Sequence, residues 1–141
     1  MRDNFTFFHP LRVRWAECDA QNIVFFGNYF TYFDVGMTEY FRALGFKFDG
    51  DDALEFYTVH AEADYRDSAV FDDEIDVGVR CLRLGQTSLQ MGFAIFRGDE
   101  LLVEGRTAYV HALRKTKTKE LLPQDFVERV LAFEKTPPER G

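Results

Sequence analysis

One short stretch concentrates the side chains able to do chemistry. Residues 12–29 read Arg12-Val13-Arg14-Trp15-Ala16-Glu17-Cys18-Asp19-Ala20-Gln21-Asn22-Ile23-Val24-Phe25-Phe26-Gly27-Asn28-Tyr29. Asp19 falls in a polar loop, just ahead of aromatic residues and a predicted helix start. The first turn of a helix leaves N–H groups unpaired and partly positive. A carboxylate beside such groups suits attack on an activated carbonyl. Such chemistry needs a nucleophile or base beside a polarised carbonyl, with donors for the developing oxyanion. On spacing alone the plainer reading of Asp19 is a loop or capping carboxylate. Glu17 reads as a solvated strand-end residue, and Glu39 as a partner of Arg42. Asn28 reads either as a helix cap or as a group that positions substrate or water.

The elements that must hold these residues follow from periodicity. Phe8 to Trp15 reads as a half-buried strand, with Leu11, Val13 and Trp15 on one side. Ala16 to Asn22 is loop. Tyr29 to Leu44 reads as a helix, because Phe30, Phe33, Met37, Tyr40, Phe41 and Leu44 recur at helical spacing and Gly45 supplies a stop. Its other side is also poor in polar residues, so other structure must wrap it. An Asp- and Gly-rich loop is expected over 48–53. Alternation then predicts strands over 57–66, 74–84, 88–96 and 101–113, with turns at Gly85-Gln86-Thr87 and Gly98-Asp99. Tyr57 to Arg66 alternates through Val59, Ala61, Ala63 and Tyr65 as one side of its strand. Pro123 opens a short amphipathic helix, and the Pro-rich end over 136–141 reads as frayed. The expectation is one α+β domain spanning 1–141, a five-stranded antiparallel sheet curled around one central helix.

Composition narrows the function classes. The chain has 141 residues and a formal net charge of −7. An acidic protein is unsuited to nonspecific nucleic-acid binding. No apolar run approaches the roughly 20 residues of a membrane span, and the first residues carry no apolar signal core. Cys18 and Cys81 are expected as reduced thiols of a cytoplasmic protein. His9, His60 and His111 form no metal-ligand spacing, so no metal is expected. The one locally basic stretch is Arg114-Lys115-Thr116-Lys117-Thr118-Lys119.

The segment 12–29 resembles the signature of the 4-hydroxybenzoyl-CoA thioesterase family of hotdog proteins. Cys18-Asp19 and Asn22-Ile23-Val24-Phe25-Phe26 fall in register with it. Thr38-Glu39-Tyr40-Phe41-Arg42-Ala43-Leu44-Gly45 resembles the helix of its bacterial short-chain acyl-CoA thioesterases. The resemblance implies a hotdog fold and hydrolysis of an acyl- or aroyl-CoA to a carboxylic acid and free coenzyme A. Asp19 matches the motif Asp, as nucleophile or general base, with N–H groups near Phe26, Gly27 and Asn28 polarising the thioester carbonyl. Phe25, Phe26 and Tyr29 would contact the acyl group. Ser88 falls where the family has Gly-x-Ser, as a contact for coenzyme A or as part of the turn. Arg114, Lys115, Lys117 and Lys119 would meet the phosphates, with Arg80 and Arg83 as further candidates. Several members carry Tyr-His where this chain has Phe25-Phe26, so Asp19 would act without that His. The resemblance also implies a homo-oligomer, a dimer or a homotetramer built from dimers. No cofactor is implied, since coenzyme A is part of the substrate. Two alternatives stand beside this reading. One is a non-catalytic acyl-CoA binding module. The other is a hydratase or dehydratase, whose usual His–carboxylate pair is absent from the motif.

Overall fold

The computed structural model describes residues 1–50 and 53–141, so the loop expected over 48–53 lies partly outside the described residues. Strand β1 (Phe7–Arg12) is followed by a 3-10 turn (Trp15–Glu17) and the long helix α1 (Asn28–Ala43). Strands β2 (Phe56–Tyr65), β3 (Glu74–Leu84), β4 (Ser88–Arg97) and β5 (Glu100–His111) come next, then helix α2 (Gln124–Phe133) and the two-residue strand β6 (Glu139–Arg140). The sheet runs in the order β1-β3-β4-β5-β2, with β6 pairing beside β3. All pairings are antiparallel except that of β6 with β3. The result is an α+β fold with six strands rather than five, because the end expected to fray is tied into the sheet.

Helix α1 lies across one sheet face and buries Tyr29, Tyr32, Phe33, Met37, Tyr40 and Phe41. Gly36 lets it sit close. A Cβ there would fall 2.7 Å from Val77 Cγ1 and 2.9 Å from Val79 Cγ2. Phe33 stacks on Phe93 with ring centroids 4.8 Å apart. The helix ends where the sequence predicts, at Gly45 with φ +89°, a conformation open to glycine at little cost. A smaller cluster of Phe5, Ala94 and Phe96, with Phe8 and Leu101 against it, covers part of the opposite face.

Two expectations are corrected. Strand β1 stops at Arg12 rather than Trp15. The Val13 N–H bonds to Asp73 O at 2.9 Å, and Arg14 then turns the chain by gripping Glu17. Val13 is buried as expected, but Trp15 is 68% exposed. Strand β2 forms where expected, yet its apolar side is not buried, and Val59 is 62% exposed. Alternation reports a potential inner face, whereas β2 is the last strand of the sheet and, among the described residues, its outer edge pairs with no other strand.

Candidate active site

The loop after β1 is built around Glu17. Its carboxylate accepts hydrogen bonds from the Arg14 backbone N–H at 2.7 Å, Arg14 Nη2 at 2.9 Å and the Tyr32 hydroxyl at 3.0 Å. Burial alone would push this carboxyl up, but the Arg14 and Tyr32 bonds outweigh it and hold Glu17 below the ordinary carboxylate value. The side chain is only 12% exposed. Glu17 is therefore a fixed anion inside the loop, not the solvated strand-end residue expected from sequence.

Beyond Glu17 the chain forms a tight hairpin. Phe25 N–H bonds to Glu17 O at 2.9 Å, Cys18 pairs with Val24, and Asp19 N–H bonds to Ile23 O at 2.8 Å. Asn22 turns the tip with φ +64°, a left-handed conformation Asn tolerates. Asp19 is half-buried near this tip, and its Oδ1 accepts the Gln21 N–H at 2.8 Å. Its Oδ2 accepts no hydrogen bond from the described residues. Burial and the charges of Glu17, Asp19 and Asp73 push the Cys18 thiol up, so Cys18 is a poor thiolate nucleophile.

The hairpin runs directly into the turn that starts α1. Asn28 N–H is spent on Phe25 O at 2.9 Å. Phe26 O accepts the Tyr65 hydroxyl at 3.0 Å and the Tyr29 N–H at 3.4 Å. Both peptides are trans, so each N–H points away from the preceding carbonyl. With Phe25 O and Phe26 O turned toward the helix and Tyr65, the N–H groups of Phe26 and Gly27 face the other way. Neither has a partner among the described residues. Two adjacent, outward-facing donors at a helix start make a receptor for an oxyanion.

The remaining predicted residues fall in two places. Phe25 and Phe26 flank the turn, 47% and 63% exposed, with ring centroids 4.7 Å apart. Tyr29 lies beneath them, buried, and its hydroxyl accepts the Ala69 N–H at 2.9 Å. Ser88 and the basic stretch lie at the opposite end of the sheet. Ser88 pairs with Val110, and Arg114 Nε reaches Glu55 Oε1 at 3.3 Å, next to the start of β2. Lys115, Lys117 and Lys119 are exposed. Tyr65, which touches Phe26, ends the same strand. At about 3.3 Å per residue, β2 holds the two groups roughly 30 Å apart. One chain therefore does not bring the carboxylate and the basic stretch together. Arg83 pairs with Glu139 of the C-terminal strand at 3.5 Å. Arg80 lies on the outer sheet face, its Nη1 buried without an acceptor among the described residues. Glu39 pairs with Arg42, as expected. Among the described residues, no three His, Cys, Asp or Glu side chains are grouped to share a metal ion. Sequence reading missed Tyr65, which reaches Phe26 only through the fold.

Comparison with known proteins agrees with this architecture. The chain is 26% identical to a protein of known structure from Aquifex aeolicus, covering 88% of this chain and 98% of that one with a TM-score of 0.82. It is 24% identical to a thioesterase from Thermus thermophilus crystallised with coenzyme A and Zn, over 96% and 98% of the two chains, TM-score 0.82. A 1,4-dihydroxy-2-naphthoyl-CoA thioesterase from Synechocystis is 18% identical, over 88% and 94%, TM-score 0.80. The model of the Thioesterase superfamily matches residues 21–104, a span that begins two residues after Asp19 and takes in the Phe26–Gly27 turn, α1, β2, β3 and β4. With more than half of its length matched, the chain belongs to the Thioesterase superfamily.

Proposed function

We propose that this protein is an acyl-CoA thioesterase of the 4-hydroxybenzoyl-CoA type, hydrolysing an acyl- or aroyl-CoA to a carboxylic acid and free coenzyme A. The observation that carries the reading is the pair of unpartnered N–H groups on Phe26 and Gly27, borne on the same hairpin as the Asp19 carboxylate. These donors receive the thioester carbonyl oxygen as its negative charge develops. Asp19 acts in one of two ways. As nucleophile, it attacks the carbonyl carbon and expels the thiolate, and water then cleaves the acyl anhydride. As base, it takes a proton from a water that attacks directly. Phe25 and Phe26 offer aromatic surface to the acyl group in place of an ionisable pair, which favours an aryl or short branched acyl chain. The Synechocystis relative acts on an aromatic acyl-CoA.

A second copy completes this site. Among the described residues the outer edge of β2 is unpaired, and the strand is ten residues long. Two such edges pairing antiparallel about a two-fold axis would set the Tyr65 end of one against the Phe56 end of the other. The partner's stretch Arg114–Lys119 and its Ser88 then lie beside Asp19 and Phe26, where they meet the phosphates of coenzyme A. The reading places a homodimer, alone or within a tetramer, in the cytoplasm. The Thermus relative was crystallised with coenzyme A.

The test is thiol release from a panel of acyl-CoAs, with Asp19→Asn beside wild type. Asn keeps an oxygen for the Gln21 N–H, so the loop should hold. The rate should fall about 10²- to 10⁴-fold. Full activity in Asp19→Asn refutes the mechanism. Wild type that binds coenzyme A but releases thiol from no substrate favours the binding-module reading, which the missing ionisable residue at Phe25-Phe26 keeps open.

A further inference from the structure

The geometry points to Asn28 and Tyr65 as positioning residues that fix the two peptide planes on either side of Phe26, and so aim the Phe26 and Gly27 N–H groups at the thioester carbonyl. The inference rests on the thioesterase reading and assigns roles within that site.

Each residue spends a side-chain donor on a backbone carbonyl of the loop. The Asn28 side chain is turned back into the loop, with Nδ2 2.8 Å from Glu17 O. A carbonyl oxygen only accepts, so the atom facing it is the amide nitrogen. The same oxygen also accepts the Phe25 N–H at 2.9 Å. One acceptor is thus gripped from both sides of the two free N–H groups, by residue 25 before them and residue 28 after them. Glu17 itself cannot drift, because its carboxylate is held by Arg14 and Tyr32. Tyr65 works from the far side. Its hydroxyl donates to Phe26 O at 3.0 Å, and its ring packs edge-on to Phe26 and Tyr29 at 6.3 Å and 5.6 Å. Pulling Phe26 O toward β2 rotates the Gly27 N–H away from β2, because the two are antiparallel across one peptide.

Without these two side-chain bonds the turn would keep the Asn28 N–H on Phe25 O at 2.9 Å, but from an Asn28 no longer tied to Glu17 O, and Phe26 O would keep only the Tyr29 N–H at 3.4 Å. The Phe26–Gly27 plane could then swing, and the Phe25–Phe26 plane could shift with the untethered Asn28, whereas an oxyanion donor is effective only when already aimed.

Three variants separate positioning from bulk or substrate contact. Tyr65→Phe keeps the ring and removes only the hydroxyl. Asn28→Asp keeps the shape but sets an acceptor against Glu17 O. Asn28→Ala removes the contact. Tyr65→Phe should lower kcat about 10-fold, and Asn28→Asp at least as much as Asn28→Ala, about 10- to 100-fold, with KM for the best acyl-CoA within about threefold of wild type. A role in bulk alone would leave Tyr65→Phe and Asn28→Asp active. A role in substrate contact would put the loss into KM. Either result overturns the inference while leaving the thioesterase reading intact. If wild type hydrolyses no thioester, that reading fails on its own, and amide hydrogen exchange decides the positioning role. Asn28→Ala should speed exchange of the Phe25 N–H about 10-fold or more while amides within β4 keep their rates. An unchanged Phe25 rate overturns it.

Discussion

The roughly 30 Å between Asp19 and the basic stretch, set by the length of β2, can be turned into a counting experiment. Two variants are made, each defective in one half of the proposed composite site. One is Asp19→Asn. The other carries Arg114→Glu, Lys115→Glu and Lys117→Glu together, all three exposed and away from the core. Each alone should release thiol slowly at low acyl-CoA. Co-expressed in equal amounts, the two chains assort into dimers in the proportion one to two to one. In a mixed dimer, one site takes its Asp19 from the charge-reversed chain and its basic stretch from the chain carrying Asp19→Asn, and both are intact. The other site takes both defects. Half the dimers therefore hold one good site of two, and the mixture should recover about a quarter of the wild-type rate at equal total protein. The arithmetic is the same if dimers pair into tetramers. The assay is thiol release from the co-expressed mixture, repeated on mixed dimers isolated through two different affinity tags. Were the site made within one chain, no assortment would reunite its halves. A mixture rate equal to the mean of the two parents would refute the shared-site geometry.

Three further outcomes follow from the same geometry. The triple charge reversal alone should raise KM about 10-fold or more with a smaller fall in kcat, and added salt should raise the wild-type KM in the same direction; an unchanged KM removes the phosphate-binding role. Glu134 is buried, accepting the Tyr40 hydroxyl at 2.5 Å and the Cys81 N–H at 2.8 Å, and burial outweighs those bonds and raises its carboxyl above the ordinary value. A raised folded-state pKa means this group stabilises fully below pH about 4.5 and loses that contribution as pH climbs through its folded value, so Glu134→Gln should flatten the fall of Tm toward neutral pH in calorimetry, and parallel curves would contradict this. In Gly36→Ala, the clash with Val77 and Val79, about 1–3 kcal/mol, should exceed the helix-propensity gain of up to about 1 kcal/mol, lowering Tm by roughly 3–6 °C; an unchanged Tm would mean that the helix and sheet separate freely there.

Much of this architecture is legible in local patterns. Helix α1 needs only the recurrence of Phe30, Phe33, Met37, Tyr40 and Phe41, and Gly45 to stop it. The hairpins from β3 to β5 need only alternation and two turns. What fails is whatever depends on neighbours distant in sequence. Trp15 continues the alternation of β1, but a bond from Val13 to Asp73 and the grip of Arg14 on Glu17 end the strand first. Val59 alternates as a core residue should, yet nothing in its own segment says that β2 stands last in the sheet. Asp19 is legible only through its motif, since a lone Asp in a polar loop has many uses. Glu17 looks like any surface carboxylate until Tyr32, fifteen residues on, closes over it. Tyr65 gives no signal at all, because its bond to Phe26 spans 39 residues.

The two edges of the sheet differ in valence. On one side, β1 is six residues long and carries Pro10, which has no N–H to donate, and the pair Glu139–Arg140 adds to the far end of β3, beside Arg83 and Leu84. On the other side, β2 offers ten residues without a proline. A sheet sticky at both edges would add copies without limit, as fibres do. Stickiness confined to one edge consumes itself when two copies meet. By blunting β1 and pairing β6 with β3, the fold would confine strand-edge association to β2, and the proposed homodimer would cover that edge without leaving a second one open to further copies.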